Sequence, residues 1–164
     1  MNQTLKIFIY SLFVFIIISC EKVDLLPITS EDLIEKVATF KDEKAVLVNV
    51  WALYCKPCIE EFPMLIDLRK KFYDLEVILI NVDFEEEFEE VKNFLKKQNL
   101  ESVSYIKRQN DEEFINGLNP NWSGSIPFTV IYAKKTGVVI DYWEGKKSFS
   151  KFKSSIELAI NSEI

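Results

Sequence analysis

Apolar positions along the chain fall into two kinds of pattern that alternate, short unbroken runs and stripes at helical spacing. Ala45-Val-Leu-Val-Asn-Val-Trp51 is an apolar, β-branched run bounded by charge, as expected of a strand buried on both faces. Glu76 to Val82 repeats that pattern. Before the first run, Thr29-Ser30-Glu31-Asp32 offers a cap and early acids for a helix through about Phe40, with Leu33, Val37 and Phe40 on one face. Between the runs, Ile59, Phe62, Leu65, Leu68 and Phe72 mark a helix over 58–74, which Pro63 should bend because it lacks a donor for the carbonyl one turn earlier. Phe84, Phe88, Val91 and Leu95 form the stripe of a further helix over about 85–98.

The distal half continues with a short strand at 103–106 and a short helix at 112–118. Runs at 128–133 and 138–143 flank the Lys134-Lys-Thr-Gly137 turn and predict a hairpin. A last helix over about 148–161 carries Phe149, Phe152, Ile156 and Ile160. No repeat or linker divides this stretch, so residues 29–164 are expected to form one α/β domain: a central mixed β-sheet with helices on both faces, three layers in all.

The amino-terminal segment has a different pattern. Residues 7–18 are an almost unbroken apolar run preceded by Lys6, and they stop abruptly at Glu21-Lys22. A spanning helix needs roughly 20 apolar residues, so this shorter run is expected to be an export signal over 1–19. Its end, Ile17-Ile18-Ser19-Cys20, resembles the lipobox of bacterial lipoproteins. That resemblance implies that Cys20 is lipidated and anchors the mature chain in the cell envelope, outside the cytoplasm, with residues 20–28 as tether.

Composition narrows the chemistry. Acids outnumber bases 26 to 20, for a net charge of −6, and only 4 glycines are present, which disfavours nucleic acid as partner and a glycine-rich nucleotide cradle as site. The acids at Asp83, Glu85, Glu86, Glu87, Glu89 and Glu90 suggest a cation site, but the solvated start of a helix explains them better, since lysines follow at 92, 96 and 97. There is no histidine, so whatever chemistry occurs runs without imidazole. The 3 cysteines are an odd number, which Cys20 resolves by leaving Cys55 and Cys58 as a pair.

Cys55-Lys-Pro-Cys58 stands where a buried strand ends and a helix starts. The amino end of a helix carries exposed amide donors and positive partial charge, which stabilise a thiolate at Cys55 and make it the expected nucleophile. Cys58, one turn further in, can resolve a mixed disulfide. A structural zinc site needs about four Cys or His ligands, so no metal and no other cofactor is expected. A static bridge closing so short a loop would contribute little stability, which favours redox activity. Lys56 adds a screened positive charge beside the thiolate, and Pro57 pre-sets the helical φ.

With Val48-Asn-Val-Trp-Ala52, Cys-Lys-Pro-Cys, Glu60-Glu-Phe-Pro63 and Ser123-Gly-Ser-Ile-Pro-Phe-Thr129 in that order, the sequence resembles the thioredoxin superfamily, and more narrowly the membrane-tethered TlpA and ResA types, over most of residues 30–161. The resemblance implies that Pro127 is cis and faces the disulfide, with Ile126 presenting backbone groups to an extended substrate. An ordinary trans proline opening a strand is the alternative. It also implies that Glu61, i+3 from Cys58, takes and returns the proton of the resolving thiol, whereas ordinary thioredoxins place an Asp where Asn49 stands; a surface role beside a solvated Glu60 is the alternative. Trp51, Tyr54 and Trp122 either flank the disulfide or pack into the core. The family departures are Tyr54 in place of the usual Trp and a segment before residue 45 too short for an extra hairpin.

The function implied is reduction of disulfides in exported proteins, with electrons from a membrane thiol-disulfide donor. A peroxiredoxin-type peroxidase lacks its Thr before Cys55, and a copper chaperone lacks the Cys-x-x-x-Cys spacing and the distant His.

Overall fold

The computed structural model describes residues 24–100 and 103–163; the leader over 1–19 and Cys20 lie outside them. Among the described residues, the strands are β1 (Leu25–Ile28), β2 (Ala45–Trp51), β3 (Leu75–Asn81), β4 (Ser104–Lys107), β5 (Phe128–Tyr132) and β6 (Val139–Glu144). The helices are α1 (Ser30–Ala38), α2 (Lys56–Lys71), α3 (Phe88–Lys97), α4 (Asp111–Leu118) and α5 (Phe149–Asn161). The strands form one mixed sheet in the order β1-β4-β3-β2-β5-β6. Pairings among β1, β4, β3 and β2 are parallel, whereas β5 lies antiparallel to both β2 and β6.

β2 shows why the molecule has three layers. Every residue in it is buried, so both of its faces must be covered. Leu47 and Trp51 enter a core with Phe62, Leu65 and Leu68 of α2, Val91 and Leu95 of α3, and Phe152 and Ile156 of α5. Val46, Val48 and Val50 enter the opposite core with Leu33 and Val37 of α1, Phe114 and Leu118 of α4, and Trp122. The strand alternation puts Asn49 on the α2 side, an isolated amide in an apolar wall.

Helix ends follow local chemistry. Thr29 and Asp32 form a reciprocal capping box at α1, and Asn110 and Ser148 cap α4 and α5. Pro63 lies inside α2, where it lacks the donor for the Ile59 carbonyl.

Two sequence expectations are corrected. Leu25–Ile28, assigned to the tether, forms edge strand β1 parallel to β4. An edge strand leaves one side unpaired and so tolerates Pro27. Phe84, assigned to the buried stripe of the third helix, precedes a 3₁₀ turn at Glu85–Glu87 and is 76% exposed. The helix proper begins at Phe88, and its buried face is Val91 and Leu95.

Candidate active site

The chain leaves β2 at Trp51, turns through Ala52-Leu53-Tyr54 and enters α2 with Cys55 as its N-cap. The Cys55 sulfur accepts a hydrogen bond from the Cys58 amide at 3.3 Å, so the first cysteine occupies the position where helix amides converge. Cys55 and Cys58 are joined in a disulfide with Cα atoms 5.2 Å apart. The pair is asymmetric: Cys55 is half-buried, while Cys58 is 1% exposed. A substrate can therefore reach the first sulfur but not the second.

The turn that carries Cys55 is tied to the neighbouring strand. The Leu53 amide donates to the Asp83 carboxylate at 2.7 Å, the Asn81 side-chain amide donates to the same oxygen at 2.7 Å, and the Asp83 backbone amide donates back to the Asn81 side-chain oxygen at 3.1 Å. Asp83 is thus a turn anchor and does not belong with the solvated acids after it. The charged run around it hid that role in the sequence.

Glu61 is 1% exposed, which removes the surface alternative. One carboxylate oxygen accepts from the Lys147 amide at 3.0 Å and the other from the Asn49 side chain at 3.4 Å. Asn49 in turn donates to the Thr129 hydroxyl at 3.0 Å. Burial pushes the Glu61 carboxyl above the ordinary glutamate range, opposed by those two hydrogen bonds and by the charges of Lys146 and Lys147. A carboxyl so placed, one helical turn from Cys58, is suited to exchange a proton with a thiol. Glu60 instead is exposed and pairs with Lys146 at 2.8 Å.

The Ile126–Pro127 bond is cis, as the family resemblance implied. The loop before it is held by the Trp122 indole, which donates to the Ser125 carbonyl at 2.8 Å and stacks on Phe128 at 4.5 Å. Ile126 is partly buried against both cores, and Cys55 against the first of them.

The three aromatic candidates separate. Trp51 is fully buried, with its ring centroid 4.9 Å from Phe62 and 5.2 Å from Phe94, and Trp122 is buried in the opposite core. Tyr54 alone remains available, at 78% exposure, beside a shallow groove lined by Leu53, Glu90, Asn93, Phe94 and Lys97. Lys56 and Pro57 are exposed in the first turn of α2. The residues missed in the sequence are Thr129, Asp83, Glu144 and Lys147. Thr129, a polar residue inside a strand otherwise apolar, carried the same signal as Asn49; the Lys147 contact is made by backbone and leaves no trace in residue type.

A cysteine pair capping a helix after the central strand of such a sheet, with a cis-proline loop leading into the next strand, defines a thioredoxin-like protein. Residues 42–138 match the family described as thioredoxin-like, and the chain belongs to that family. The thioredoxin-like protein YneN of Bacillus subtilis is 30% identical over 118 residues, which cover 70% of this chain and 65% of YneN. The thiol-disulfide oxidoreductase ResA of Bacillus cereus is 39% identical over 57 residues, 35% of this chain and 33% of ResA. Both matches thus span less than two thirds of the relative. A thiol:disulfide interchange protein of the thioredoxin family from Chlorobium tepidum superposes with a TM-score of 0.61 at 25% identity, covering 74% of this chain and 83% of that one. StoA from Bacillus subtilis shares the fold, with a TM-score of 0.52 at 16% identity.

Proposed function

We propose that this protein is a thiol-disulfide oxidoreductase of the bacterial cell envelope that reduces disulfides in exported proteins. The observation that carries the reading is the asymmetry of the pair: an accessible Cys55 at a helix amino terminus, and a buried Cys58 one turn from the buried Glu61. In the reduced protein, the Cys55 thiolate attacks a substrate disulfide, forming a mixed disulfide and releasing one substrate thiolate, which takes a proton from water. Glu61 accepts the proton of Cys58, whose sulfur attacks Cys55 and expels the second substrate sulfur as a thiolate, which likewise takes its proton from water. The product is the Cys55–Cys58 disulfide, with two electrons passed to the substrate. A dithiol donor at the membrane then reverses both steps, and Glu61 returns the proton.

Relatives named thiol-disulfide oxidoreductases support the activity class, and the Cys-x-Pro-Cys form, which resembles reducing members of the superfamily, supports the reductase direction. The apolar leader and Ser19-Cys20 support attachment to the membrane through lipid on Cys20, on the extracytoplasmic side. The reduction potential of Cys55/Cys58, equilibrated against glutathione, tests the direction: a value near the thioredoxin end is expected, and one near that of a strong oxidase overturns it. Globomycin should make the precursor accumulate, and unchanged processing removes the anchor.

A further inference from the structure

Four consecutive residues, Glu144 at the end of β6 and 145–147 between it and α5, reach both the cis-proline loop and the carboxylates of α2. Glu144 accepts from the Ser123 amide at 2.6 Å and from the Ser123 hydroxyl at 2.7 Å. The Gly145 amide donates to the Pro127 carbonyl at 2.8 Å. Lys146 meets Glu60 at 2.8 Å, and the Lys147 amide donates to Glu61 at 3.0 Å. Between these contacts the chain bends at Gly145, whose φ of +73° a side chain would strain.

We propose that Glu144–Lys147 is a positioning brace, anchored on the cis-proline loop through Glu144, that holds the Lys147 amide against Glu61 and so couples that loop to the proton affinity of Glu61. The inference rests on the proton-carrying role of Glu61 in the proposed function. Past Glu144, which still pairs with Phe128 in the sheet, residues 145–147 have no regular structure and Lys146 and Lys147 are exposed; such a segment has many alternative conformations unless it is tied at both ends. Glu144 supplies one tie through two hydrogen bonds to a carboxylate, which are stronger than neutral ones.

The groups facing Glu61 show the direction of the effect. Lys146 and Lys147 come from the brace and the neutral Asn49, itself bonded to Thr129 of β5, from β2; on α2, Cys58 lies one turn before Glu61, and Glu60 is exposed and paired with Lys146. Displacing the brace takes one amide donor and two positive charges from the carboxylate together. With the carboxyl, whose affinity is raised chiefly by burial, still enclosed by β2, β5 and α2, each loss favours the protonated form, so a loosened brace leaves Glu61 holding its proton to higher pH.

The test uses the reduced full chain and Ellman's disulfide. The first thionitrobenzoate released reports attack by Cys55, and the second reports resolution by Cys58. Glu144→Ala should raise the pH midpoint of the second step by roughly one unit, and the Lys147 amide resonance should titrate with the same shift. Glu144→Gln, which keeps an acceptor for Ser123, should shift both less. In a Glu61→Gln background Glu144→Ala should cause no shift. A shift that persists there, or a wild-type midpoint in Glu144→Ala, overturns the brace. If Glu61→Gln removes the pH limb but Glu144→Ala does not move it, the brace falls and the proton role stands. If Glu61→Gln leaves the profile unchanged, both fall. Should Glu144→Ala not fold, Ser123→Ala loosens the same tie from the other side and carries the same expectations.

Discussion

The side-chain amide of Asn49 stands 3.4 Å from the carboxylate of Glu61 and donates also to Thr129, so one neutral group links the central strand, the redox helix and the strand after the cis-proline. An amide there can face a carboxylate at any pH. A second carboxylate cannot, because two acids sharing a buried site do not both ionise.

Asn49→Asp is therefore expected to make stability strongly pH-dependent. With one shared proton the pair is tolerated near pH 5, and the variant should lie close to the wild type. By pH 8 the second ionisation leaves an uncompensated buried charge, at a cost on the order of 3 kcal/mol. Chemical denaturation of the oxidised protein at the two pH values measures the difference; a pH-independent cost would mean that Asn49 matters for packing alone.

Glu61 by itself gives a smaller effect of the same sign. Its proton affinity is raised in the folded state, chiefly by burial. Between the unfolded and folded values the native state therefore binds more protons than the unfolded one, and stability falls as pH rises through that window. The contribution is complete below the ordinary glutamate range and is lost above the raised value. Glu61→Gln should remove this slope, so the variant gains on the oxidised wild type as pH increases. Denaturation midpoints of both proteins between pH 4 and pH 9 would show it, and parallel curves would count against a raised affinity.

The parts of this site written in residue type were legible in the sequence. The apolar run ending at Trp51 located the central strand, the Cys55 and Cys58 spacing located the redox pair, and the order of motifs led to Pro127. Other parts are written in geometry. β1 contains Pro27, and only its two end residues are buried, so no alternation betrays it. The Lys147 and Gly145 contacts are made by amides that every residue except proline carries. Phe84 has the spacing of a buried stripe but precedes the helix, because the 3₁₀ turn breaks the register between it and Phe88.

Asp83 supplies a prediction about the turn that carries Cys55. Its carboxylate receives both the Leu53 amide and the Asn81 side chain, and hydrogen bonds to charged groups contribute about 1.5 to 3 kcal/mol each. Asp83→Ala should lower the unfolding free energy by roughly 3 kcal/mol and speed hydrogen exchange at the Leu53 amide beyond what the global loss explains. Exchange that rises only in step with global stability would mean that the turn is held elsewhere.

Tyr132 offers a substitution in the stabilising direction. Its hydroxyl is buried in β5 with no hydrogen-bond partner among the described residues, and burial pushes its pKa up to about 12. A hydroxyl in that position loses its water without compensation, whereas the ring contributes its full apolar area. Tyr132→Phe keeps the ring and removes the unpaired group. It should raise stability by about 1 kcal/mol, with the Cys55/Cys58 potential unchanged, since the substitution leaves Asn49, Glu61 and Thr129 in place. Thermal unfolding of the oxidised protein checks the first part, and a lowered melting temperature would show that the hydroxyl is satisfied in solution.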